Sequence, residues 1–512
     1  MVTRHTATVE LSGTGLTPAD VVAVARDGAA VALSPAAHGE MAASAAVVAA
    51  LADSNTPAYG VTTGFGSLAT TYIPEGRRGE LQRALVRSHA TGMGPPVERE
   101  VVRAMMLLRA RTLAMGRSGA RPEVAETIVA ILNAGLTPVV REHGSLGASG
   151  DLAPLAHCAL VLMGEGETVE HGPAAPALAA AGIEPLTLTA KEGLALTNGT
   201  DGMLGMLILA LADLTNLLRA ADVTAAMAVE ALLGTDRAFA ADLIALRPHP
   251  GQAASAANLR ALLADSPMVA SHREGDTRVQ DAYSLRCTPQ VHGAARDTVA
   301  HAERVAAAEL VSAIDNPMVL PDGRVESCGN FHGAPVGFAC DFLAIAAAEA
   351  GAIAERRTDR LLDVTRSYGL PPFLTEDAGV NSGLMLTQYT QAGMVAENRR
   401  LAAPASVDSL PTSAMQEDHV SMGWGAARKL RTVTANLARI LAVELVCAAH
   451  GLDLRRPLEP GPATGAALAA VRERIPGPGP DRFLAPDLAA AEALVASGAL
   501  VAAAESAAGV LA

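Results

Sequence analysis

Apolar residues recur at helical spacing through most of this chain. Between residues 97 and 116, Val101, Met105 and Leu108 are separated by four and then three positions, which places them on one face of a helix. A second helix is predicted over 122–134, where the pattern stops just before a glycine.

Longer apolar segments follow from about residue 203, rich in alanine and leucine and with few glycines or prolines. Their length predicts long helices packed side by side in a bundle. A stretch rich in Gly and Pro, 457–480, separates them from a last amphipathic helix near 487–507. The predicted bundle helices cover 203–233, 291–313, 336–363 and 426–450.

Composition narrows the fold class. Aromatic residues make up 3% of the chain and hydrophobic residues 50%, so the core is mostly Ala, Leu and Val, which favours closely packed helices over sheets. The fold is therefore predicted to be mainly α. No linker or low-complexity stretch divides the 512 residues. We expect one continuous unit, with an N-terminal lobe over 1–202 and the long-helix bundle over 203–512.

Charge, cysteine content and hydropathy exclude several classes of protein. A formal net charge of −14 argues against a nucleic-acid partner, because binding phosphates needs a basic face. The five cysteines form no Cys-x-x-Cys pair, so neither disulfides nor a metal site is expected. The first ten residues lack the apolar core of a secretory signal, which predicts a cytoplasmic protein. The apolar stretches 204–211 and 336–347 are short or interrupted by Asp341, so no membrane-spanning helix is expected.

The segment 144–154 reads Gly-Ser-Leu-Gly-Ala-Ser-Gly-Asp-Leu-Ala-Pro. Ala148, Ser149 and Gly150 have no side chain bulky enough to prevent the backbone from folding onto itself. If the Gly150 nitrogen attacks the Ala148 carbonyl carbon and water leaves, a five-membered ring closes. Loss of the Ser149 hydroxyl as a second water leaves an exocyclic alkene, and the product is an electrophilic methylidene-imidazolone. An ordinary turn is the alternative; a Gly-x-Ser-x-Gly hydrolase elbow fails, because Asp151 stands two residues after Ser149.

The flanks of this tripeptide distinguish it from an ordinary turn. The run GSLGASGDLAPL closely resembles the signature of the aromatic amino acid ammonia-lyases and aminomutases, whose built-in prosthetic group is this methylidene-imidazolone (MIO). The resemblance implies that the ring forms autocatalytically from Ala148, Ser149 and Gly150, with no metal required. It also implies the family fold, a long-helix bundle of the ammonia-lyase (fumarase/aspartase-like) type with an N-terminal lobe bearing the prosthetic group.

Further segments match the family in the same order along the chain. Tyr59 opens the loop YGVTTGFG, whose tyrosine reaches the active site in the family. His89, in LQRALVRSHATGMG, stands where family members contact the substrate side chain. Asn198, in KEGLALTNGT, matches an asparagine that hydrogen-bonds near the ring and the substrate. Without the resemblance, a structural role for Tyr59 and His89 is the more common one.

Another match lies in VQDAYSLRCTPQ, residues 279–290. Gln280, Tyr283 and Arg286 fall three apart, which on one helical turn presents them on roughly one face. By itself this spacing indicates an amphipathic surface. The resemblance implies instead that Gln280 contacts substrate, that Tyr283 is the base, and that Arg286 clamps the substrate carboxylate, which suits a planar guanidinium.

Two later loops complete the match. The loop GNFHG resembles one whose phenylalanine packs beside the ring, so Asn330 and Phe331 are expected at the substrate. The run MQEDHVSM places Gln416 and Glu417 in the substrate pocket. Family members that act on histidine carry Gln-Glu here, whereas the phenylalanine and tyrosine enzymes usually carry Asn-Gln. A carboxylate suits the N–H groups of an imidazole and is costly beside a phenyl ring.

Together these matches imply non-oxidative removal of ammonia from a small amino acid, L-histidine, to give trans-urocanate. Thr62, Thr63 and Thr197 depart from the residues common in the histidine enzymes, which keeps a phenylalanine or tyrosine ammonia-lyase or aminomutase as the alternative. Either the amine or the aromatic ring of the substrate could add to the prosthetic group.

The resemblance also implies a homotetramer with active sites shared between subunits. A non-catalytic helical scaffold with the family fold is an alternative of another class. Loss of Ser149, Tyr59, Tyr283 or Arg286 would favour it, and all four are present.

Overall fold

A computed structural model describes residues 8–54 and 56–512, in which helices dominate, as composition predicts. The chain forms two compact units. The first unit runs to Leu209 and adds Ala302–Asp341 and Pro404–Arg428; the second contains Ala210–His301, Phe342–Ala403 and Lys429–Ala512. Each unit is thus made of three segments of the chain, whereas the predicted division into 1–202 and 203–512 has a single boundary. Residues 1–7, on which the prediction of no secretory signal largely rests, lie outside the described residues.

The first unit contains eight α-helices that lie wholly within it, among the residues described. They are Pro18–Val22, Pro35–Ala52, Arg78–His89, Arg99–Ala114, Pro122–Asn133, Leu152–Leu162, Ala174–Ala180 and Glu192–Thr197.

Its strands are short and, in the part of the chain that the structure describes, pair into two-stranded sheets. Val9–Leu11 pairs in parallel with Val31–Leu33. The antiparallel pairs are Met93–Pro96 with Arg141–His143, Glu167–Thr168 with Gly172–Pro173, and Met318–Val319 with Val325–Glu326.

The second unit also holds eight shorter α-helices among the residues described. They are Ala241–Ala245, Pro250–Leu262, Pro267–Ala270, Tyr283–Arg286, Met385–Leu401, Pro462–Arg472, Ala485–Ala496 and Ala499–Ala508.

The four predicted long helices are confirmed, and each has residues in both units. Their bounds are Asp201–Ala231, Thr288–Leu310, Ala334–Leu362 and Gly423–Leu454.

The two helices predicted near the start of the chain are also confirmed, as Arg99–Ala114 and Pro122–Asn133. Val101, Met105 and Leu108 are fully buried, as their spacing predicts.

The prediction of one continuous last helix is wrong. Helix Ala485–Ala496 ends and helix Ala499–Ala508 begins on either side of Gly498, which adopts φ +77°. The two axes differ by 60°. A glycine in this left-handed conformation ends a helix at little cost, and an alanine-rich pattern on both sides hides the break.

The expectation of no apolar segment long enough to span a membrane is also wrong on length. By length and composition alone, 192–231, Ala334–Leu362 and Gly423–Leu454 qualify. Between 67% and 83% of each apolar window is buried inside the fold, however. Most side chains of these windows therefore belong to the core of the fold.

Arg109 fixes one end of helix Glu192–Thr197 in the first unit. Burying a guanidinium is costly unless its N–H groups find acceptors. Arg109 donates to the carbonyl oxygens of Ala195 (2.9 Å), Asn198 (3.2 Å) and Ile314 (3.0 Å). The C-terminal end of helix Glu192–Thr197 is therefore fixed by hydrogen bonds from the centre of the unit.

A buried ion pair performs a similar task in the second unit. Arg357 pairs with Glu444, and both side chains are fully buried. Thr224 Oγ1 donates to Glu444 at 2.7 Å, and Arg357 Nη1 donates to the carbonyl oxygen of Ser284 at 3.3 Å. Since Ser284 belongs to the short helix Tyr283–Arg286, the ion pair supports that helix.

Candidate active site

A cavity of about 420 Å³ lies in the first unit. Five residues predicted from sequence line it, and they come from segments far apart in the chain. They are Tyr59, His89, Ser149, Asn198 and Glu417.

Ser149 lies in a tight loop with left-handed backbone. The φ angles are +72° at Gly147, +51° at Ser149 and +82° at Gly150, and Gly147 and Gly150 form an isolated antiparallel bridge. A Cβ atom at Gly150 would overlap the backbone of Gly199, and one at Gly147 would overlap the Ser421 hydroxyl. The loop therefore requires glycine on both sides of the Ala148-Ser149 pair.

Asp151 anchors the end of this loop. Its Oδ2 accepts hydrogen bonds from the backbone N–H groups of Gly202 (3.0 Å) and Met203 (2.9 Å), in the first turn of helix Asp201–Ala231. Its Oδ1 accepts from Ser145 Oγ at 2.9 Å. Complete burial raises the pKa of Asp151 to about 7, against the lowering effect of these hydrogen bonds.

Glu417 is held by a short turn on another wall of the cavity. Thr412 Oγ1 donates to Glu417 Oε2 at 2.8 Å, and the two backbones pair in both directions. Ser413, within the turn, accepts a hydrogen bond from the backbone N–H of Ser67 at 3.2 Å. The turn is thereby joined to the glycine loop that Tyr59 opens.

Tyr59 and His89 each have a pKa shifted by burial. Burial raises the pKa of Tyr59, and the charge of Glu417 raises it further. The backbone N–H of Gly66 donates to the Tyr59 hydroxyl at 2.9 Å, and this hydrogen bond lowers the pKa. Burial lowers the pKa of His89, opposed by a backbone hydrogen bond at Leu85 and by Glu417. Both shifts favour the uncharged forms of these side chains near neutral pH.

Asn198 caps helix Glu192–Thr197 and is 1% exposed. Its Nδ2 donates to the carbonyl oxygen of Asn316 at 2.8 Å and to Asp315 Oδ1 at 3.3 Å. Its Oδ1 is buried and has no hydrogen-bond partner among the described residues.

Besides Ala148 and Gly150, which flank Ser149, three predicted residues of the first unit do not line the cavity. Asn330 is exposed and donates to the carbonyl oxygen of Ala313 at 3.4 Å, Phe331 is half-buried, and Gln416 is exposed beside Glu417. The loops that carry them touch through two histidines: His332 and His419 stack with ring centroids 5.6 Å apart and planes 4° from parallel.

Gln280, Tyr283 and Arg286 belong to the second unit and are not among the residues that line the cavity. The prediction that one helical turn carries all three is wrong, because the helix begins at Tyr283 and leaves Gln280 in the preceding loop. The Arg286 guanidinium lies 4.7 Å from the centre of the Tyr283 ring, and its Nε donates to the Asp281 carbonyl oxygen at 2.9 Å. Tyr283 is 72% exposed.

The threonines that the sequence associates with the pocket differ in position. Thr197 lines the cavity, and its hydroxyl donates to the Gly193 carbonyl oxygen at 3.1 Å. Thr62 and Thr63 do not line it: Thr62 Oγ1 donates to the Thr56 carbonyl oxygen at 2.8 Å, and Thr63 Oγ1 lies 3.3 Å from that of Ala58. Their hydroxyls hold the shape of the glycine loop.

Sequence reasoning missed the residues that support the cavity. Thr412 and Ser413 precede Glu417 in a run of ordinary polar residues, and Asp315 lies more than a hundred positions from Asn198. Only Asp151 had a signal, since it directly follows the tripeptide.

Comparisons with known proteins place these features in context. The sequence model of the family described as aromatic amino acid lyase matches residues 16–473. A histidine ammonia-lyase of Streptomyces coelicolor is 63% identical over 98% of this chain and 99% of its own. The solved histidine ammonia-lyase from Trypanosoma cruzi superposes with a TM-score of 0.89 at 39% identity, covering 98% of this chain and 95% of that one. A tyrosine aminomutase from Streptomyces globisporus gives 0.93 at 38% identity, covering 99% and 100%.

Proposed function

Because this chain belongs to the aromatic amino acid lyase family, we propose that it eliminates ammonia from L-histidine to give trans-urocanate. The observation that carries the proposal is the placement of Glu417 and Ser149 around one cavity. Of the described residues lining that cavity, Glu417 is the one Asp, Glu, Lys or Arg. A carboxylate there accepts a hydrogen bond from an imidazole N–H, whereas a phenyl ring has no donor to offer it.

The residues around Ser149 fit the MIO group that we propose forms from Ala148, Ser149 and Gly150. The left-handed loop has no room for a side chain at Gly150, and Asp151 fixes its C-terminal end. When formed, the group supplies an electrophile that turns the substrate amine into a good leaving group. No metal is required by this chemistry.

The chain's own residues bind the substrate and move its proton. Glu417 and His89 are assigned to the imidazole, and Asn198 to the region beside the ring. Tyr283 is assigned as the base that removes the β-proton, and Arg286 as the clamp on the substrate carboxylate. The Arg286 guanidinium lies 4.7 Å from the centre of the Tyr283 ring, so the proposed base and the proposed clamp are neighbours.

Gln280, Asn330, Phe331 and Gln416 complete the proposed site as substrate contacts, with Tyr59 beside the reaction centre. Because Tyr283 and Arg286 do not line the cavity of the first unit, we further propose a homotetramer whose active sites are shared between subunits. The cytoplasm is the proposed location.

A tyrosine lyase or aminomutase is the second candidate. The structural match to a tyrosine aminomutase favours it, with a TM-score of 0.93. That relative is 38% identical, however, whereas the histidine ammonia-lyase of S. coelicolor is 63% identical over nearly the whole chain. Glu417 agrees with the histidine assignment.

An ultraviolet assay tests the substrate. Purified protein is given L-histidine, L-phenylalanine or L-tyrosine, and the conjugated acid formed from each is followed at its own absorbance maximum, with the Ser149→Ala protein as the blank. We expect kcat/KM for histidine to exceed the other two by at least about 10²-fold, since the site hydrogen-bonds the imidazole. Faster turnover of tyrosine, or a β-amino acid as the main product, would favour the second candidate.

A further inference from the structure

Asn198 differs from the other residues that line the cavity. Of those described, it is the one with a buried polar side-chain atom that has no hydrogen-bond partner, Oδ1. An unsatisfied buried acceptor destabilises the structure by an amount comparable to a lost hydrogen bond. A donor supplied by a bound molecule would satisfy it.

The orientation of the Asn198 amide follows from the chemistry of its neighbours. One end of the amide faces the carboxylate of Asp315 and the carbonyl oxygen of Asn316. Both groups only accept hydrogen bonds, so the NH₂ must point toward them. The carbonyl oxygen of Asn198, which has no partner, is then the end of the amide that faces away from these two acceptors.

Asp315 is paired with Lys191. Lys191 Nζ lies 2.7 Å from Asp315 Oδ2, and both side chains are fully buried. The other oxygen, Oδ1, accepts from the backbone N–H of Asn316 at 2.7 Å as well as from Asn198. Lys191 also adopts φ +66°, a conformation that few non-glycine residues take, so the surrounding structure imposes this position.

We propose that Asp315, paired with Lys191, is a positioning residue that turns the Asn198 carbonyl oxygen toward the cavity, where it accepts a hydrogen bond from the α-ammonium group of the substrate. The inference rests on the proposed function, because it takes the cavity as the amino acid site. It assigns the polarity of Asn198: an acceptor for a cationic amine, and not a donor to an anion.

Replacement of Asp315 by asparagine tests this polarity. The amide introduced by Asp315→Asn can donate as well as accept. A rotated Asn198 amide, which presents its NH₂ to the ammonium, is then opposed only by the Asn316 carbonyl oxygen. The measurement is made in the Ser149→Ala background, which cannot form the ring and so leaves histidine intact. Calorimetry gives the affinity for two ligands that differ only in the amine, L-histidine and 3-(imidazol-4-yl)propanoate.

We expect Asp315→Asn to weaken the binding of histidine by roughly 10- to 100-fold, which is the effect of one hydrogen bond to a charged group. The affinity for the analogue without the amine should change by about twofold or less. Asp315→Asn leaves Lys191 buried without its partner. The double variant Asp315→Asn/Lys191→Met removes both charges together, and should show the same selective loss even where the single variant is unstable.

Asp222→Asn is the matched control. Asp222 is also a fully buried carboxylate that pairs with a cation, Arg296, at 2.7 Å, and none of its hydrogen-bond partners lines the cavity. It should lower the melting temperature without changing the ratio of the two affinities. Equal weakening of both ligands by Asp315→Asn, or of neither, would overturn the proposal.

Failure of the proposed function gives a different result. The parent Ser149→Ala protein would then bind phenylalanine or tyrosine in preference to histidine. The dependence on Asp315 is then measured with that amino acid and its own deamino acid, and the same selective loss is expected.

Discussion

Glu417 presents two oxygens with different surroundings. Oε2 accepts from Thr412 Oγ1 at 2.8 Å, which fixes the rotation of the carboxylate. Oε1 has no hydrogen bond from Thr412. It is the oxygen nearer to Gly66, since a Cβ atom built on Gly66 would lie 3.9 Å from it. Because burial favours the neutral forms of Tyr59 and His89, a substrate imidazole at Oε1 meets a negative charge among uncharged neighbours.

Glu417→Gln keeps the shape of this side chain and removes its charge. Turnover of histidine, measured as kcat/KM from urocanate absorbance, should fall by at least about 10²-fold, the usual effect of losing one acid–base or charged contact. Turnover of phenylalanine or tyrosine should rise slightly, because a neutral amide costs less than a carboxylate beside an apolar ring.

Asp418→Asn is the control for that experiment. Asp418 is an exposed carboxyl next in the chain and does not line the cavity, so its loss should leave histidine turnover unchanged. A Glu417→Gln protein that deaminates histidine at the wild-type rate would show that Glu417 does not select the substrate.

The helices are the elements that sequence predicts well. The helical pattern depends on apolar residues three and four positions apart, so helix Arg99–Ala114 can be predicted from its own segment alone. Where a helix is broken by one residue, as at Gly498, the alanine-rich pattern continues through the break. The short helix at Tyr283 shows a further limit, since a three-residue spacing does not say where a helix begins.

The conformations of the loops that form the site are harder to predict from sequence. Ser413, Ala414 and Met415 all adopt positive φ, between 49° and 72°, which no local preference of these residues favours. Their conformation depends on contacts with distant residues, such as Ser67 with Ser413, 346 positions apart. The family resemblance located Tyr59, His89, Ser149, Asn198 and Glu417, but not the partners that orient them.

At the level of the whole molecule, the second unit has an apolar groove at its surface. The groove has a volume of about 790 Å³, and Phe342 and Ile345 line it while 47% and 46% exposed. Exposed apolar surface of this kind is typical of an interface between subunits. It supports the proposed homotetramer.

Light scattering tests the assembly. The wild-type protein should have four times the mass of one chain, and Phe342→Glu/Ile345→Glu should give smaller species with little activity, because a buried charge opposes association. Phe483→Glu is a matched control: Phe483 is 79% exposed and lies outside the groove. A fully active monomer would contradict the shared active sites.

The mass of the intact protein tests the proposed reaction centre. Closure between the Gly150 nitrogen and the Ala148 carbonyl carbon releases one water, and loss of the Ser149 hydroxyl releases another. Wild-type protein should therefore be lighter than its sequence by two water molecules, and Ser149→Ala should not, because it has no hydroxyl to lose. An active wild-type enzyme with the full unmodified mass would contradict the account.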